Sequence, residues 1–179
     1  GYKEINRLSL LVKPDNPLPP KIIEITGITD DILKKEGVSQ EEAFHQFFNL
    51  YTEDALLIAY NIMFDLSFLS AFFKKYWHAF YTFKNDILDA MAIYRDRHPW
   101  PNRLENAVAK YFVEAKNTHR AIDDVSATYE LLLKMNQELP NLTKYVNVIG
   151  YNSKYGAPKM MPHLKKIAQK GGMREIEKS

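Results

Sequence analysis

The feature that most limits the possible folds is residues 55–60, Ala-Leu-Leu-Ile-Ala-Tyr, an unbroken apolar run of strand length set between two helical patterns. A strand buried on both faces reads this way, with no polar alternation, and such strands sit in the middle of α/β sheets covered by helices. On its N-terminal side, Ser39 with Glu42 forms a capping box opening a helix to about Tyr51, whose buried face is Ala43, Phe44, Phe47, Phe48 and Tyr51. On its C-terminal side a second helix is expected from Leu66 to about Trp77.

Around this centre the chain reads in order. Residues 5–12 alternate loosely and stop at Lys13-Pro14, as a strand ending in a turn does. Prolines at 14, 17, 19 and 20 forbid regular structure up to Pro20, and a helical turn over 20–26 is followed by a bend at Gly27 and a short helix capped by Thr29. Residues 85–95 give a short strand and a helix holding Asp89, and Asn102 is placed to cap a helix over 103–112. The apolar spacing of Ile122, Val125, Tyr129, Leu132 and Leu133 predicts a long helix from Ala121 to Met135. Beyond Leu142 the pattern weakens, with a strand over 145–149 and a short helix over 163–170 as the only elements.

Two places combine chemistry with position. Asp65 falls where the central strand ends, beside the crevice in which open α/β sheets tend to bind ligands, although a carboxylate there also suits a helix cap. Asp123 and Asp124 fall in the first turn of the long helix, where the helix dipole favours carboxylates, with His119 just upstream. Each is more often a cap or a surface pair when it occurs alone. The aromatic cluster at 72–83 can stack on bases, but core packing is the simpler expectation.

Composition narrows the classes. With 46% hydrophobic and 13% aromatic residues the chain is globular, and 179 residues hold one well-cored domain more comfortably than two. The absence of cysteine excludes disulfides and thiolate zinc sites and points to a reducing, cytoplasmic setting. No apolar stretch approaches the roughly 18 residues a membrane helix needs, so no membrane partner is expected. The net charge of +2 hides an uneven distribution: residues 154–179 hold seven Lys or Arg against two Glu, leaving an acidic body and a basic tail. That division suits carboxylates gathered around metal ions and phosphate contacts elsewhere, and equally a solvated terminus.

Three signatures in order, Ile25-Thr26-Gly27-Ile28-Thr29, then Asn61-x-x-Phe64-Asp65-x-x-Phe68-Leu69, then His119-x-Ala121-x-x-Asp124, resemble the DEDDh 3'-5' exonucleases, the group that includes the epsilon proofreading subunit of bacterial DNA polymerase III. The match covers about residues 5–138, and Asp89-Ala-Met-Ala-Ile and Asn102-x-Leu104 resemble the elements between the motifs. The resemblance implies an α/β fold with a ribonuclease H-like mixed sheet flanked by helices. It implies two-metal-ion phosphodiester hydrolysis with Mg²⁺ or Mn²⁺, releasing nucleotides from the 3' end of single-stranded DNA, with RNA an open alternative. Residue by residue, Asp65 and Asp124 match metal ligands and His119 the general base, while Ile25, Thr26, Asn61 and Phe64 match positions that line the terminal nucleotide. Asp123 falls outside the pattern, and the counterpart of Asp89 is not a ligand in the family. A polymerase or another replication or repair protein is the implied partner.

The family's opening Asp-x-Glu strand has no counterpart in this sequence. The expectation is therefore an exonuclease domain over 1–140 lacking its front strands, inactive as this fragment, followed by a basic tail over 141–179 of unassigned role. A non-catalytic nucleic-acid-binding pseudo-exonuclease or scaffold module is the competing expectation. Glu175-Ile-Glu177 in the tail lacks the strand context to serve as a substitute.

Overall fold

The computed structural model describes residues 3–114, 120–159 and 161–179. The apolar run of residues 55–60 contributes β1 (Leu57–Ala59), which pairs in parallel with β2 (Ile87–Asp89) in the register Leu57–Ile87, Ile58–Leu88 and Ala59–Asp89. The connection between them carries α4 (Ile62–Tyr76), the long crossover that parallel strands require. Before β1 come α1 (Pro20–Thr26), α2 (Asp30–Glu36) and α3 (Gln40–Phe48); after β2 come α5 (Ala90–Arg97), α6 (Leu104–Lys110) and α7 (Ala121–Glu138). A 3₁₀ turn at Leu142–Tyr145 leads to β3 (Val148–Tyr151), which pairs in parallel with β4 (Lys165–Ala168).

Local chemistry explains the ends of the helices. Thr29 accepts the Ile32 amide and Ser39 the Glu42 amide, so α2 and α3 start where the capping residues stand. α4 begins at Ile62, four residues before the expected Leu66, because Asn61 adopts the left-handed conformation (φ 66°, ψ 53°) and turns the chain straight from β1 into the helix. Asn tolerates that conformation better than most residues. Asp65 is thus a first-turn residue of α4 and not its cap. α6 starts after Arg103, whose amide is accepted by Asn106 Oδ1, so the capping role expected of Asn102 is not observed.

Two further expectations are corrected. Residues 5–12 form no ladder, since among the described residues their only strand-like contact is the Val12–Val38 bridge, and Ile5 is 92% exposed. An alternating pattern makes a strand only where a partner strand is offered. Residues 163–170 hold β4 and not a helix: Lys165 donates to Asn147 O and Gln169 to Tyr151 O, so the backbone is satisfied by β3. A short apolar pattern cannot decide between helix and strand without such a partner.

The core lies on two sides of this framework. One cluster joins Leu88, Ile93, Leu131, Met135, Tyr145, Val148 and Ile176; the other joins Phe44, Leu66, Phe73, Phe83, Ile87 and Ile149. Most of the aromatics at 72–83 are core, with Phe73 wholly buried, while Phe80 is exposed. Residues from the segment after α7 sit in both clusters. The segment is fastened by Asp96, fully buried in α5, whose carboxylate accepts Tyr145 Oη at 3.0 Å, Gln169 Nε2 at 3.2 Å and the amides of Ile176 and Glu177 at 2.9 and 3.0 Å.

Candidate functional site

The start of α4, the start of α7 and the carboxyl end of β1 meet at a cavity of about 500 Å³. Asp65 projects from the first turn of α4 and Asp124 from the first turn of α7, and both line it, together with Ala59, Tyr60, Phe64 and Thr128. Asp123 does not, as expected of a neighbour about 100° round the helix. Burial raises the Asp65 carboxyl above its ordinary range, and a backbone hydrogen bond partly opposes this. The Tyr60 hydroxyl donates to Asn102 O at 2.8 Å and tethers the end of β1 to the loop before α6.

The turn that presents Asp65 is held from below by Asp89. This residue ends β2, caps α5 and is 2% exposed; its Oδ1 accepts the amides of Asn61 at 2.9 Å and Met91 at 3.1 Å. Burial pushes its carboxyl up to about 6, against the pull of those amides and of Arg95. Asn61 itself lines a second crevice, whereas Phe64 is 60% exposed with its ring 5.1 Å from that of Phe68.

The remaining expected site residues are placed differently. Ile25 and Thr26 lie at the end of α1 and line neither of these cavities. The Thr26 hydroxyl donates to Ile22 O and accepts the Ile28 amide, shaping the turn at Gly27, and Ile25 is about half exposed. His119 lies outside the described residues. The geometry therefore brings together Phe64, Asp65 and Asp124, sets Asn61 next to them, and leaves Ile25 and Thr26 apart. Asp89 carries a site-shaping role that only the fold reveals, since a carboxylate ending a strand looks in sequence like any helix cap.

The donor set bears on the implied metal. Asp65 and Asp124 offer oxygen alone, which suits a hard divalent cation such as Mg²⁺ or Mn²⁺. Among the described residues no group of three or more His, Asp or Glu converges, so two carboxylates leave most of an octahedral shell to other donors. β1 pairs on one edge with β2 and on the other with no strand among the described residues, and Leu56 and Ile58 of this run are 43% and 44% exposed.

Comparison with known proteins gives the site its context. An exonuclease family model, RNase_T, matches residues 1–132. The PolC-type DNA polymerase III of Halalkalibacterium halodurans is 37% identical over 133 residues, 73% of this chain and 9% of that protein. That of Bacillus subtilis is 34% identical over 137 residues, 75% of this chain and 9% of that protein. The chain thus spans about a tenth of the length of these relatives. Among solved structures, E. coli exonuclease I in complex with a dA16 oligonucleotide superposes with a TM-score of 0.65 at 23% identity, covering 76% of this chain and 34% of exonuclease I. A zinc-bound exonuclease I–ssDNA complex gives 0.62 at 24% identity over 75% of this chain and 33% of that chain. At this identity the likeness is one of fold, and the fold is the ribonuclease H-like one of exonuclease I.

Proposed function

This chain belongs to the exonuclease family, in its DEDDh 3'-5' branch, and on that premise we propose that it forms the hydrolytic site of a 3'-5' exonuclease releasing nucleotides from the 3' end of single-stranded DNA. The observation that carries the reading is the convergence of Asp65 and Asp124, from two helices far apart in sequence, on one cavity at the end of β1. Mg²⁺ or Mn²⁺ held by these carboxylates would neutralise the phosphodiester and acidify the attacking water. His119, from its place in the motif, takes the proton of that water at its imidazole nitrogen near neutral pH. Phe64 offers an exposed ring face to the terminal base, and Asn61, Ile25 and Thr26 are assigned to the same nucleotide on the strength of the motifs alone.

The free edge of β1 gives this reading its second half. A strand carrying Asp-x-Glu along that edge would bring two further carboxylates to the cavity and cover the exposed Ile58; without one, the chain cuts weakly or not at all. Binding without cutting is then the behaviour of the chain by itself, which is where the scaffold reading and the enzyme reading meet. A cytoplasmic replication or repair setting, with a polymerase as partner, is the corresponding assignment. Among the described residues no helix is long and apolar enough to cross a membrane. Residues 1–140 are assigned the catalytic role, and the basic segment 141–179 a role in holding the strand.

The test is metal-dependent mononucleotide release by the chain joined to an Asp-x-Glu strand, compared with Asp124→Asn and Asp65→Asn. Each substitution removes a negative ligand without changing shape, and each is expected to lower the rate at least about a hundredfold. Variants as active as the parent would refute the assignment.

A further inference from the structure

The ends of the four strands found among the described residues open into one crevice of about 670 Å³, separate from the acidic cavity. Asn61 follows β1, Asp89 ends β2, Tyr151 ends β3, and Gln169 and Lys170 follow β4. A crevice outside the carboxyl ends of strands is where open α/β sheets take their ligands, and its volume is that of a small-molecule site.

Its wall holds buried polar atoms without partners. Gln169 is 5% exposed, and its Nε2 donates to Ala92 O at 2.9 Å and Asp96 Oδ1 at 3.2 Å. Two acceptors fix which atom is the nitrogen, so the leftover atom is the acceptor Oε1. No hydrogen bond reaches that oxygen, which fills the space a Cβ on Gly150 would need, 1.7 Å away. Arg95 Nε is likewise buried and unpartnered; its guanidinium makes one bond, Nη2 to Met91 Sδ at 3.5 Å, and no ion pair among the described residues. Native proteins seldom leave such atoms unpaired. Asp89 is the one acid in the lining, and its Oδ1 already accepts two amides. Lys170 adds a second cation, and Trp100 and Tyr155 stand on the rim 80% and 79% exposed. Aromatic faces beside cations are the means by which proteins hold single-stranded nucleic acid.

We propose that this crevice is a second nucleotide subsite, taking a phosphate on Arg95 and Lys170 and a base on the ring of Tyr155 or Trp100. The proposal rests on the exonuclease reading for the identity of the ligand as nucleic acid. Asn61 and Met63 line the crevice while Phe64 and Asp65 line the acidic cavity, so a strand whose end reaches Asp65 has only one turn to cross.

The test is binding in EDTA, where no cleavage occurs, of a fluorescein-labelled oligothymidylate, with thymidine monophosphate as competitor. Tyr155→Ala and Lys170→Ala, both at exposed side chains, are each expected to weaken oligonucleotide binding about tenfold. Lys170→Ala should also reduce the log–log salt slope by about 0.7, the loss of one phosphate contact on a single strand. Competition by the monophosphate that Tyr155→Ala abolishes identifies a free nucleotide as the occupant, and a response of the oligonucleotide alone identifies the strand; either supports the subsite. Wild-type affinity of Tyr155→Ala and Lys170→Ala for both ligands overturns it, even with cleavage established at Asp124. Weakened binding upholds it even if no cleavage is found.

Discussion

At the scale of single residues, Asp89 is the clearest case of fold and site sharing one atom. Its Oδ1 holds the amide of Asn61, and through it the left-handed turn that aims Phe64 and Asp65. Burial raises the carboxyl to about 6, so between the unfolded value, about 4, and 6 the folded state keeps a proton that the unfolded chain has released. Folding then takes up a proton, and stability falls as pH rises through that window, by an amount on the order of 2–3 kcal/mol once complete. Urea unfolding at about pH 4.5 and pH 7.5 should show this loss in the wild type and its reduction in Asp89→Asn, whose amide oxygen still accepts both N–H groups; equal pH dependence in the two would contradict it. The motifs singled out Asp65 and Asp124 without a structure, and the structure brings both to the lining of one cavity. The role of Asp89 was not legible in detail, since its partner amide lies 28 residues away.

At the scale of elements, burial departs from the sequence pattern: Ile58 of β1 is 44% exposed, and Val125, Tyr129 and Leu133, expected on the apolar face of α7, are exposed while Ala127, Thr128 and Leu131 are buried. β1 and α7 are readable as a strand and a helix because each is dictated by its own residues. β4 and the unformed strand at residues 5–12 are not, because a strand depends on what it pairs with. The segment after α7 looked like a loose basic tail for the same reason: the acid that secures it, Asp96, stands on α5 and reads as a surface charge in an Arg-Asp-Arg sequence. Asp96→Ala removes the acceptor of four donors, among them a buried tyrosine hydroxyl, and should destabilise the fold by at least about 3 kcal/mol. Ser39→Ala, by comparison, removes one exposed cap bond and should cost about 1 kcal/mol. Denaturant midpoints compare the two, and a smaller loss for Asp96→Ala than for Ser39→Ala would contradict the role given to Asp96.

At the scale of the whole molecule, helices flank a short parallel framework whose strand ends feed two adjoining hollows, one acidic and one basic with aromatic rims. The acidic one is lined by Asp65 and Asp124, and the other by Arg95, Lys170 and the exposed rings of Trp100 and Tyr155. The turn from Asn61 to Asp65 links them, Asn61 lining one and Asp65 the other. The family resemblance was readable from three short motifs, whereas the second hollow was not, because its walls come from strand ends, helices and loops that no local pattern links. β1 pairs with β2 and with no other strand among the described residues, and polarity of digestion tests the account most directly. With the chain joined to an Asp-x-Glu strand and Mg²⁺ present, a single strand labelled at its 3' end should release the label first, as a mononucleotide, while a 5'-labelled copy shortens stepwise. Release of the 5' label first, or internal cuts that leave the 3' end intact, would contradict the account.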